Sequence, residues 1–95
     1  GSIAEPRAVG LATIASALSD TPEAVDQTRA ANVWEEVADG LPQSSAHWLQ
    51  VKTLALEAAY RGTHRDRATA AARYLLLTQP PDAPAIKQRL ERLLR

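Results

Sequence analysis

Cysteine, methionine and phenylalanine are all missing from these 95 residues. Without cysteine there is no disulfide framework and no thiolate metal site. The compartment is left open, since either cytoplasm or periplasm suits such a chain. No apolar run approaches the ~18–20 residues that a membrane span requires, and no secretory leader is visible. Net charge is missing as well, because 11 basic side chains balance 11 acidic ones. A dedicated nucleic-acid binder rests its affinity on phosphate neutralisation, so this balance argues against that class. There is no alternating β-branched run and no Asn-Gly or Asp-Gly hairpin turn, which leaves nothing to build a sheet.

What remains is a small domain that buries roughly two thirds of its unfolded surface. Its core has to come from Leu, Val, Ile, many Ala, Trp34, Trp48, Tyr60 and Tyr74. Alanine-rich interiors suit helices that approach closely. The balanced charge is unevenly placed: residues 1–57 carry three basic side chains against eight acidic ones, a net of −5, and residues 58–95 carry eight against three, a net of +5. Such asymmetry either draws the two halves together or marks a polar binding face. The chain opens Gly1-Ser2 without Met, which reads as a tag remnant ahead of a fragment cut from a longer protein.

Periodicity and punctuation predict an all-α stack of about five antiparallel helices. The first runs from about Pro6 to Leu18 with a stripe of Leu11, Ile14, Ala15 and Leu18, and Gly10 weakens its interior. The second begins at Thr21 as N-cap and Pro22, presents Ala30, Val33, Trp34, Val37 and Leu41, and stops at Gly40 and Pro42. Ser44 or Ser45 caps the third, which reaches Arg61. This helix is apolar nearly all round, so it is expected to pack on more than one side. Thr63 or Asp66 caps the fourth, with Ala68, Ala71, Ala72, Leu75 and Leu76 on its stripe, and Pro80-Pro81 ends it. Asp82 caps the last, which buries Ile86, Leu90, Leu93 and Leu94 and carries Lys87, Arg89, Arg92 and Arg95 toward its C-terminal end. Residues 1–20 are thus read as tag remnant plus a weakly specified helix, and residues 21–95 as the helical domain.

Within Ser45–Pro80, Trp48 stands early in one helix, Tyr60 near its end, Gly62 at the turn, Ala68 at the start of the next helix, and Pro80 closes the unit. This pattern resembles the tetratricopeptide (TPR) repeat, a helix–turn–helix unit of about 34 residues. The Ala68–Pro80 interval fits. The Trp48–Pro80 interval is about one helical turn longer than the family pattern, and Lys52 replaces a small residue, so the unit is divergent. The helix before it resembles the second helix of an earlier repeat, and the helix after it the solvating helix that closes such arrays. The resemblance implies a non-catalytic protein–protein interaction or assembly module.

Chemistry-bearing residues are sparse. Trp34 and Trp48 fall on apolar stripes and are expected in the core. Arg61, His64, Arg65, Arg67 and Arg73, with Tyr60 beside them, form the densest basic cluster. Guanidinium forks pair bidentately with carboxylates, so these six residues are the candidate surface for a protein or an acidic peptide. The plainer account is a solvated turn partly neutralised by Asp66. His64 and Asp66 lack the Ser nucleophile, oxyanion loop or second His that catalysis would need. His47 is too remote to complete a zinc site. No catalytic residue, metal site or cofactor is therefore expected. Two alternatives stay open: a helix-turn-helix DNA reader using Lys87, Arg89 and Arg92, and a self-association module pairing through the first helix.

Overall fold

The computed structural model of the chain describes residues 4–43 and 45–94. The expected tag remnant at Gly1-Ser2, the alternative cap at Ser44 and the terminal cation Arg95 lie outside the described residues. Five α-helices and no strand are present among the described residues: α1 (Ala4–Ser19), α2 (Ala24–Asp39), α3 (Ala46–Arg61), α4 (Arg65–Thr78) and α5 (Pro84–Arg92). The fold is all-α.

Cross-helix pairs fix the helix directions. Arg61 meets Gln27, Thr63 meets Thr28, and Lys52 meets Glu35, so partners climb α2 as they descend α3. These two helices are antiparallel. At the other end of the stack, the Thr69 hydroxyl of α4 donates to the Leu93 carbonyl just past α5 at 2.8 Å. The stiff Pro80-Pro81-Asp82 link therefore turns α5 back along α4 and against α3.

The central position of α3 follows from its composition. It packs on α2, α4 and α5 and buries Trp48, Val51, Thr53, Ala55, Leu56 and Ala58. Thr53 is 0% exposed, and its hydroxyl donates to the Leu49 carbonyl at 2.7 Å, so a polar residue sits in the core with its hydrogen bond satisfied. Alanines at 30, 38, 55, 58, 68 and 72 are also almost fully buried, and they let the backbones close on one another. Trp34 and Trp48, each 8% exposed, supply the bulk between these small residues. The expected stripes of α2, α4 and α5 are buried or half-buried as read. In α1, whose main neighbour is α2, Ala15 is fully buried but Ile14 is 52% exposed, and Ala12 takes the inward position instead.

Helix starts hold more corrections. Ser45 caps α3 as expected, accepting from the Trp48 amide at 3.1 Å. Thr21 does not cap α2. Its hydroxyl is spent on the Leu18 carbonyl and the Asp26 carboxylate, and the helix begins after Glu23. For α4 the capping position is His64, and neither Thr63 nor Asp66 serves; Thr63 bonds to Thr28 of α2 instead. For α5 it is Ala83 in place of Asp82, with Pro84 opening the helix where its missing N–H costs nothing.

The turn after α3 shows why Gly62 is there. No glycine among the described residues has a positive φ, so conformational freedom is not the reason. A β-carbon at position 62 would stand 2.4 Å from Thr28 Oγ1 and 2.8 Å from the Thr28 backbone nitrogen. The turn lies flat on the first turn of α2, and the Thr28 hydroxyl accepts from the Thr63 amide at 2.9 Å.

Candidate functional site

Helical geometry distributes the basic cluster over several surfaces. Arg61, at the end of α3, donates from Nε to Gln27 Oε1 at 3.1 Å and ties α3 to α2. Gln27 is itself only 5% exposed and uses its amide nitrogen on the Ser19 and Thr21 carbonyls, at 2.7 and 2.8 Å. Arg65 folds back over Tyr60, its guanidinium 4.2 Å from the ring centroid and its Nη2 donating to the phenol oxygen at 2.5 Å. Arg73 is exposed on a different side of α4 from Arg67. Of the candidate residues, His64 and Arg67 face a common concavity.

That concavity is a groove of about 360 Å³ lying on α3 between α2 and α4. Its floor is made of small side chains, among them Ala31, Ala55, Ala59 and Ala68. The α2 wall carries Asn32 and Glu35, and the α4 wall carries His64 and Arg67. Lys52 crosses the middle and donates from Nζ to Glu35 Oε2 at 2.6 Å, so the acidic wall is already neutralised. A second hollow of about 340 Å³ shares Lys52 and Ala71 with the first and continues toward Tyr74, Gln43 and Gln79. Arg67, Ala71 and Tyr74 follow i, i+4, i+7 spacing, which puts them on one face of α4 along the length of this channel.

The third concavity, about 430 Å³, lies where the start of α3 meets the proline link. Leu49, Ile86, Pro80 and Pro81 make it apolar, and Gln43, Gln50 and Gln79 rim it.

The cations of α5 do not act together. Arg89 pairs bidentately with Glu57 of α3, through Nε at 3.1 Å and through Nη2. Those hydrogen bonds, with the carboxylate charge behind them, hold the guanidinium above its usual pKa against the opposing effect of burial. Lys87 and Arg92 are exposed and lie on either side of the buried stripe. Sequence reading missed the Glu57–Arg89, Glu35–Lys52 and Gln27–Arg61 contacts, because partners 17 to 34 residues apart leave no local pattern.

No group of three or more His, Asp or Glu side chains among the described residues is arranged to hold a metal ion. No helix among them is long and apolar enough to cross a membrane. No family model matches the chain, and no curated protein or solved structure matches it.

Proposed function

We propose that this chain is a TPR-like interaction or assembly module of a larger protein, and that it acts by docking a protein segment without catalysis. The observation that carries this reading is the open channel along α3. Its floor is small and its walls bear polar tips, which is how a helical stack presents a surface to a partner chain. The Trp48, Tyr60, Gly62, Ala68 and Pro80 pattern supports the same reading. The DNA-reading alternative is weakened by Arg89, whose guanidinium is committed to Glu57.

Affinity capture on the immobilised chain, with lysate of the source cells, tests the reading. The expected result is a saturable protein partner that competes with soluble chain and slows hydrogen exchange in α3 and α4. Capture of duplex DNA with a steep salt dependence, and of no protein, would replace it with the nucleic-acid reading.

A further inference from the structure

We infer that the channel between α2 and α4 selects an extended peptide carrying a carboxylate and an apolar side chain three residues apart, the carboxylate on Arg67 and the apolar group against Tyr74. This rests on the interaction-module reading and adds to it the chemistry of the ligand and the place where it lies.

Charge complementarity fixes one end. Glu35 and Lys52 satisfy each other, so the remaining charge of the channel comes from Arg67. Arg67 is exposed and makes neither an ion pair nor a side-chain hydrogen bond among the described residues, whereas the guanidinium heads of Arg61 and Arg65 are engaged with Gln27 and Tyr60. Asn32 stands on the opposite wall, where an amide can meet a peptide backbone. At the far end Tyr74 is 64% exposed beside Trp48 and Leu75, which offers a ring face to an apolar side chain.

The spacing follows from arithmetic. Arg67 and Tyr74 are seven residues apart on α4, about 10 Å at the helical rise. A chain in the extended polyproline II form advances about 3.1 Å per residue with three residues per turn, so roughly three residues span the distance and bring both side chains to the same face. Alanines at 55, 59, 68 and 71 leave room for the intervening backbone to settle between the walls.

The test uses fluorescent Gly/Ser peptides carrying a single Asp and a single Leu at successively wider spacings, titrated against the chain by anisotropy. Affinity should peak at Asp-Xaa-Xaa-Leu and fall about tenfold in Arg67→Glu. Tyr74→Ala should flatten the spacing preference, and Arg73→Glu, the same charge change away from the channel, should leave binding unaltered. Each variant sits on exposed surface, and an unchanged circular dichroism melt confirms that it folds. Equal losses in Arg67→Glu and Arg73→Glu, or no spacing preference, would reduce the effect to general attraction and overturn the inference. Binding that ignores Arg67→Glu but disappears in Arg65→Glu would move the site to the basic turn, overturning the channel while leaving the module reading intact. Failure of every peptide to bind also overturns it, and a partner captured from lysate would then show that only this ligand assignment was wrong.

Discussion

Gly62 and Thr28 are in such close approach that no side chain fits between them: a β-carbon on Gly62 would meet both the hydroxyl and the backbone nitrogen of Thr28. The α3–α4 turn is thereby seated on the first turn of α2. Gly62→Ala cannot be relieved by a rotamer change, because backbone is among the atoms struck. The expected cost is about 1–3 kcal/mol, read as a melting temperature lower by ~4–8 °C for each kcal/mol. An unchanged melt would show that the turn stands off α2.

Gly10 gives the opposite expectation. It lies inside α1, it is exposed, and a β-carbon there meets nothing within 4 Å. Gly10→Ala should stabilise the chain by about 0.5–1 kcal/mol, since only backbone freedom is at stake. Urea midpoints of the two glycine variants should therefore move in opposite directions.

Trp34 and Trp48 fill the space between alanines, and neither void can collapse easily where the backbones already touch. Truncating either to Ala should cost about 3–5 kcal/mol, much of the ~5–15 kcal/mol that a domain holds. The remaining tryptophan reports the outcome, because its emission shifts to the red if the core opens. Retention of the native melt by Trp48→Ala would place that ring outside the core's energetics.

The Glu57–Arg89 pair joins helices that are distant in sequence, and the two side chains are only 20% and 32% exposed. Arg89→Ala leaves a partly buried carboxylate unpaired and should cost about 1–3 kcal/mol. Because folding raises the Arg89 pKa, its contribution is present at every pH below its ordinary range and is lost only on passing above the folded value. Thermal melts between neutral pH and mildly alkaline pH should thus show no loss traceable to this residue. A double-mutant cycle with Glu57→Gln should give a coupling well above the measurement error.

The sequence was most legible where one residue type has one physical use. Pro42 and the Pro80-Pro81 pair followed helix ends, Ser45 capped the helix that follows it, and the apolar stripes of α2, α4 and α5 turned inward. It was less legible where a side chain had competing partners. Thr21 and Thr63 have the chemistry of caps, but the Thr21 hydroxyl bonds to Leu18 and Asp26 and that of Thr63 to Thr28 of α2, and capping fell to positions with no side-chain bond. The basic cluster misled for a geometric reason. Residues 61, 65, 67 and 73 are neighbours in sequence, yet a helix end, a turn and the 100° step of a helix aim them at different surfaces. Of that set, the channel uses His64 and Arg67.

Gln27 holds the α1–α2 connection through its nitrogen and the end of α3 through its oxygen. One amide plane thus spans two chain reversals that are otherwise separate, and neither can loosen without freeing the other. Native-state hydrogen exchange should find the amides around Thr21 and those around Gly62 opening as one cooperative unit with a shared free energy. Gln27→Leu, a near-isostere that removes the hydrogen bonds at both ends, should lower that free energy at both places together.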